Sequence, residues 1–163
     1  MITVGILTMS DKGSRGERED LSGKEIEKVI KKLPAEVRAY EIIPDEANII
    51  KSKIKEFVDK KKLDLILTTG GTGVSPRDVT PEATREVIEK ELPGMSEAMR
   101  AESLKKTPNA MISRAVCGIR KRSLIINLPG SPKAVRENLA VLLPALSHAI
   151  EKIKGSQEEC GKA

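Results

Sequence analysis

Short apolar, β-branched runs that stop at turn formers alternate with stretches of helical period along this chain, and that alternation is its tightest constraint. Ile2 to Met9 ends at Ser10-Asp11-Lys12-Gly13-Ser14-Arg15-Gly16, which predicts a buried strand feeding a loop. Ile26, Val29, Ile30 and Leu33 then recur at helical spacing before Pro34, so one face of a helix packs inward. Val37 to Ile43 reads as a second strand, followed after Pro44-Asp45 by a helix carrying Ile49, Ile50, Ile54, Phe57 and Val58. Leu63 to Thr69 is the third strand, and it runs directly into Gly70-Gly71-Thr72-Gly73.

Beyond that loop, Thr80-Pro81-Glu82 has the pattern of an N-cap, a first-position proline and an acid in the first turn, predicting a helix to about Glu91. Pro93-Gly94 interrupts it, and Met95 to Lys106 resumes helical composition before Thr107-Pro108-Asn109. Met111 to Ile119 and Ser123 to Leu128 are expected as a hairpin or as two neighbouring strands. Ser131-Pro132 opens a last helix with Val135, Leu139, Leu142, Leu143, Leu146 and Ile150 inward and a kink at Pro144. The expected fold class is α/β, a three-layer sandwich whose mostly parallel central sheet is flanked by helices and carries a short antiparallel edge ribbon. With 163 residues, one domain over 1–154 is expected, followed by a polar, flexible tail over 155–163.

Composition narrows the function. No apolar run approaches the roughly 20 residues that span a bilayer, so no membrane helix is expected. The segment after Met1 lacks a signal-peptide pattern, so the expected location is cytoplasmic. Cys117 and Cys160 match no zinc, redox or disulfide spacing. His148 is the only histidine and reads as an ordinary helix residue, which leaves few parts for His-based catalysis. A net charge of +5 suits acidic partners, but the basic residues are interspersed with acids. Phe57 and Tyr40 are the only aromatics, too few for the stacking platforms of single-stranded nucleic-acid binders, so nucleic acid is not the expected partner.

In open α/β sheets ligands bind beyond the carboxyl ends of the strands, at a switch in strand order. Here those ends are Ser10-Asp11, Pro44-Asp45, Gly70 to Gly73, and Asn127-Leu128-Pro129-Gly130-Ser131. Successive N–H groups in a glycine loop can converge on an oxyanion, although a tight turn needing glycine torsions would use the same residues. Asp45 and Asp78 are candidate Mg²⁺ ligands, since that ion takes carboxylates and phosphate oxygens. Each has a second reading: Asp45 as a helix cap, and Asp78 as the partner of Arg77 or a stabiliser of the turn before Thr80. Lys133 and Arg136 near the start of the last helix oppose its dipole unless an anion sits there or both side chains lie in solvent.

The string from Thr69 to Thr84, with its Gly70-Gly71-Thr72-Gly73 and Arg77-Asp78-Val79-Thr80-Pro81 segments, resembles the signature of the MogA/MoaB family of molybdenum-cofactor biosynthesis proteins. Thr8-Met9-Ser10-Asp11, Ile43-Pro44-Asp45-Glu46, Leu92-Pro93-Gly94, Ile112-Ser113-Arg114 and Asn127 to Pro132 extend it over about Thr3 to Lys154. The resemblance implies Mg²⁺-dependent transfer of AMP from ATP to the terminal phosphate of molybdopterin, releasing pyrophosphate. It also implies a homotrimer, and other cofactor-biosynthesis proteins as partners. By motif, Asp45 and Asp78 match functional, metal-binding aspartates. Ser10, Asp11, Gly70, Gly71, Thr72, Gly73 and Ser113 match ligand contacts, with Asn127, Pro129, Gly130 and Ser131 forming another wall. A substrate phosphate would then be the nucleophile, which removes the need for histidine. A MoaB-like or non-catalytic molybdopterin-binding scaffold is the alternative.

Overall fold

The computed structural model describes residues 1–157, so Cys160 and most of the expected tail lie outside it. The elements run β1 (Ile2–Met9), the short α1 (Asp11–Ser14), α2 (Leu21–Ile30), β2 (Ala35–Ile43) and α3 (Ala47–Lys55), which ends in a π turn over Glu56–Lys60. Then come β3 (Leu65–Thr69), α4 (Thr80–Val87), β4 (Lys90–Glu91), α5 (Pro93–Leu104) and a 3₁₀ turn (Pro108–Ile112). The hairpin strands β5 (Cys117–Arg120) and β6 (Ser123–Leu128) lead into α6 (Pro132–Ile153).

One six-stranded sheet has the order β2-β1-β3-β6-β5-β4. β2, β1, β3 and β6 are parallel, while β5 and β4 add antiparallel pairs at one edge. Strand periodicity sorts side chains between two cores. Val4, Ile6, Leu65, Leu67, Leu124 and Ile126 pack with Ile26, Val29, Met99, Leu139 and Leu146 from α2, α5 and α6. Leu7, Met9, Ile66 and Ile125 pack on the other face with Ile50, Ile54, Phe57, Ala83 and Val87. The result is the three-layer α/β sandwich with its antiparallel ribbon.

Three expectations change in detail. The helix opened by Thr80 ends at Val87 rather than Glu91, because Glu89 and Leu92 donate their N–H groups to Ile119 and Cys117 and draw Lys90–Glu91 into the sheet edge. Met111 to Val116 is not extended strand. Pro108–Ile112 is a 3₁₀ turn capped by Thr107, whose hydroxyl accepts the Asn109 N–H. The last helix runs on past Pro144, which is exposed together with Ala140, so the carbonyl that loses its helical partner lies on the water side. Among the described residues, no helix is long and apolar enough to cross a membrane.

The sheet order also fixes the switch point. From β1 the chain crosses to β2 over the α2 face, then returns through α3 on the opposite face to β3 on β1's other side. The carboxyl ends of β1, β2, β3 and β6 therefore share one edge, with the β1/β3 crevice at its centre.

Candidate functional site

Backbone pairing first draws the exits of β1 and β2 together. The Ser10 N–H donates to the Ile43 carbonyl at 2.9 Å. Asp45 Oδ2 accepts the Asp11 N–H at 3.1 Å, and Asp11 Oδ1 accepts the Asp45 N–H at 3.0 Å. Asp45 is consequently not a helix cap; α3 begins after Glu46 without a side-chain cap bond. Ser10 instead caps α1, its hydroxyl accepting the Gly13 N–H at 2.9 Å.

Glycine is required where β3 ends. Gly70 has φ of +93°, and a Cβ there would lie 2.5 Å from the Met9 carbonyl oxygen. Gly71 has φ of +68°, and its Cβ would meet Thr80 Oγ1 at 2.4 Å and Asp45 Oδ1 at 3.1 Å. At Gly73 the corresponding atom would stand 2.9 Å from Asp78 Oδ2. Both readings of the loop thus meet here: positive torsions are needed for the turn, and missing side chains let two carboxylates approach the backbone.

Thr80 is the first residue of α4 rather than its cap, and its hydroxyl reaches back to the Gly70 carbonyl at 3.1 Å. Asp78 does not pair with Arg77. Its Oδ2 accepts the Ser75 N–H at 3.0 Å, closing the loop turn. Arg77 lies across the β1 and β2 exits, donating to both Asp11 carboxylate oxygens and, at 2.8 Å, to Glu46.

These segments line a cleft of about 910 Å³ that includes Ser10, Asp11, Asp45, Gly70, Gly71 and Asp78. A smaller cleft of about 550 Å³, between β4–β5 and the end of α6, contains no parallel-strand exit. Burial raises the Asp45 pKa, and the nearby charges of Asp11 and Asp78 push in the same direction, against the Asp11 N–H and Arg77. Arg77 holds the Asp11 carboxyl below its usual range. Its guanidinium is committed to Asp11 and Glu46, and neither Asp45 nor Asp78 has a salt bridge among the described residues.

This excess of negative charge on hard oxygen donors fits Mg²⁺, which uses one or two carboxylates together with phosphate oxygens and water. No group of three or more His, Cys, Asp or Glu side chains forms a metal cage among the described residues. Asp45 and Asp78 would therefore hold the ion jointly with a phosphate ligand rather than alone.

The remaining candidates separate. Thr72 is buried, and its carbonyl accepts the Arg114 N–H at 2.9 Å. The Pro129 carbonyl accepts the Thr69 hydroxyl at 2.7 Å beside Gly130, which reaches the cleft. Ser131 caps α6, its hydroxyl accepting the Ala134 N–H at 3.1 Å. Arg136 turns to Glu25 at 2.9 Å, and Lys133 is exposed, so α6 gathers no basic cluster at its start. Ser113 follows the 3₁₀ turn and is not in the cleft lining.

Asn127 does not face the cleft. It is fully buried, donates to Thr68 and Thr84 hydroxyls at 3.0 Å each, and accepts the Val116 N–H at 3.1 Å. Its alternation in β6 places it on the α4 side of the sheet, where it ties two strands to that helix.

Sequence reasoning missed the opposite wall, where Arg18, Glu19, Asp20, Leu21 and Ser22 line the cleft at the start of α2. Asp20 caps that helix through the Gly23 N–H and accepts the Thr8 hydroxyl at 2.8 Å. The Tyr40 hydroxyl also donates to Asp20; burial and that carboxylate raise the Tyr40 pKa. The available signal was Asp20 immediately before Leu21-Ser22-Gly23 and the apolar spacing of α2.

The chain matches the family model described as a probable molybdopterin binding domain over residues 5–148. It is 47% identical over 158 residues to the molybdopterin adenylyltransferase of Helicobacter pylori strain J99, covering 95% of this chain and 89% of that protein. The crystal structure of the molybdopterin biosynthesis enzyme MoaB from Thermus thermophilus superimposes with a TM-score of 0.91 at 54% identity, covering 96% of this chain and 98% of that one. The tungsten cofactor synthesizing protein MoaB from Pyrococcus furiosus gives a TM-score of 0.86 at 34% identity, covering 94% and 97% of the two chains.

Proposed function

Since this chain belongs to the MogA/MoaB family of molybdopterin-binding proteins, we propose that it is a molybdopterin adenylyltransferase, moving AMP from ATP onto the terminal phosphate of molybdopterin. An oxygen of the molybdopterin phosphate bonds to the α-phosphorus of ATP, the bond from that phosphorus to the bridging oxygen breaks, and pyrophosphate leaves. Because the substrate brings its own nucleophile, the protein's contribution is positioning and charge compensation.

The observation that carries this reading is the placement of two carboxylates against the glycine loop, Asp45 beside Gly71 and Asp78 beside Gly73, with Arg77 committed to Asp11 and Glu46 instead of to either of them. Gly70 and Gly71 present their backbone to the cleft where a phosphate would sit, and Gly73 leaves room for the Asp78 carboxylate. Asp45 and Asp78 are the residues that would hold Mg²⁺, and Asp11 pins Asp45 through their paired backbone bonds. When bound, the ion offsets charge on the transferring phosphoryl group. Ser10 and Gly130 border the ligand, while Thr72, Ser113, Pro129 and Ser131 support its walls. Asn127 acts from behind the sheet. A homotrimer, a cytoplasmic location and exchange with other cofactor-biosynthesis proteins complete the proposal; light scattering reads the first.

The deciding assay incubates the protein with molybdopterin, ATP and Mg²⁺ and measures pyrophosphate and adenylated molybdopterin. Product formation dependent on all three supports the reading. Pterin binding without product would replace it with a non-catalytic binding module.

A further inference from the structure

We propose that Arg114 is a positioning residue that fixes the metal-side carboxylate of Asp78 by holding the two ends of its loop. This inference rests on the phosphate-and-Mg²⁺ reading of Asp78. Arg114 Nε donates to the Gly73 carbonyl at 2.7 Å, and Nη2 donates to the Asp78 carbonyl at 2.8 Å. Nη1 meets the carboxylate of Glu82 in the first turn of α4, and the Arg114 N–H binds the Thr72 carbonyl at 2.9 Å. One side chain therefore spans the mouth of the Gly73-to-Asp78 loop and anchors it to a helix.

The choice of carbonyl contacts matters for the chemistry. An arginine on the Asp78 carboxylate would neutralise the charge a cation needs. Here the guanidinium fixes Asp78 through its main chain, while the Ser75 N–H orients the carboxylate at 3.0 Å. Arg114's own charge is met by Glu82. The planar fork serves three acceptors in different directions, which an ammonium on a flexible stem does not reproduce.

Arg114 is itself secured from behind. Arg100 of α5 donates to the Ala115 carbonyl at 3.0 Å and more weakly to that of Ser113 at 3.5 Å. The segment between those carbonyls carries Arg114, so α5 and α4 together set where the loop stands. The sequence pattern Ile112-Ser113-Arg114 thus contributes its arginine to the site through the backbone of another loop.

The test compares wild type with Arg114→Lys and Glu82→Gln. Hydrogen exchange is followed at the amides of Ser75, Asp78 and Thr80, and Mn²⁺ binding in the presence of ATP is followed by electron paramagnetic resonance. Arg114→Lys is expected to speed exchange at those amides by about tenfold or more while leaving exchange in β1 and β3 unchanged. It should also weaken Mn²⁺ binding by about 10-fold to 100-fold, the scale for groups that support metal ligands. Glu82→Gln, which keeps the carbonyl fork, is expected to move both readouts less.

Unchanged exchange, or fast exchange with unaltered Mn²⁺ affinity, overturns the role of Arg114, as does a Glu82→Gln effect equal to that of Arg114→Lys. Failure of wild type to form adenylated product would instead remove the catalytic reading. The exchange and ion-binding results would still decide the role of Arg114.

Discussion

Asp11 and Asp45 each accept the other's backbone N–H, at 3.0 and 3.1 Å, although 34 residues separate them in the chain. This reciprocal pair locks the exits of two neighbouring parallel strands and places a partly buried carboxylate beside the glycine loop. It has consequences for both stability and catalysis.

Burial and like charges hold the Asp45 pKa above its ordinary 3.8, so the fold favours its protonated form. This contribution to stability is complete below the unfolded pKa and is lost as pH rises through the folded pKa. Asp45→Asn should therefore raise the Tm at pH 7, with the gain disappearing below about pH 4. Adenylyl transfer should fall by about 10²-fold or more, the scale for removing a group that stabilises transition-state charge. Thermal melts across pH and turnover of the same protein check both outcomes.

Gly70→Ala should cost about 1–3 kcal/mol, because a side chain is forced into a left-handed torsion. The added Cβ also meets the Met9 carbonyl at 2.5 Å, so the substitution should distort the β1/β3 crevice and abolish transfer. Gly94→Ala, with nothing within 4 Å of the new atom, is the control and should be neutral or slightly stabilising. Urea midpoints distinguish the two.

Loss of the Asn127 side chain strands polar groups in the buried core. Asn127→Ala should destabilise by about 1–3 kcal/mol through the unmet Val116 N–H and the two threonine hydroxyls. Any loss of activity should track the unfolded fraction and recover on cooling. A stable but inactive variant would show that Asn127 contributes to the chemistry in another way.

Arg77 lowers the Asp11 pKa mainly by direct hydrogen bonding. Arg77→Ala should move the Asp11 titration to higher pH, observed by carboxyl-carbon NMR. Global stability should change little, because the Arg77 side chain stands more than half exposed to water, where ion pairs are screened.

Much of the fold was legible because each signal was local. The apolar runs of β1 and β3, the helical spacing of Ile26, Val29 and Ile30, and the Ser131-Pro132 start of α6 need no distant partner to be read. The misread boundaries lie where remote bonds overrule local preference. Lys90–Glu91 leaves helical geometry to pair with β5, and the chain just after the 108–112 turn is held by Arg100 at the Ala115 carbonyl and by the bond from the Arg114 N–H to Thr72.

The candidate site divides in the same way. Gly70 and Gly71 could be identified from sequence because their torsions are intrinsic to glycine, and Asp45 and Asp78 because carboxylates stand at strand and loop ends. The wall at Asp20 and the support from Arg114 were hidden because their partners, Thr8 and Tyr40 for one and Gly73 and Asp78 for the other, come from other elements.

Sequence alone determined the long strands and helices, their order and the glycine-lined end of β3, since side-chain period and backbone sterics act over a few residues. Only the tertiary structure decided that β1 lies between β2 and β3, that Asp11 faces Asp45, and that Asn127 turns away from the cleft toward α4. Those outcomes depend on the register and sidedness of strands paired across long chain separations. A one-residue change of register would move every side chain to the opposite face.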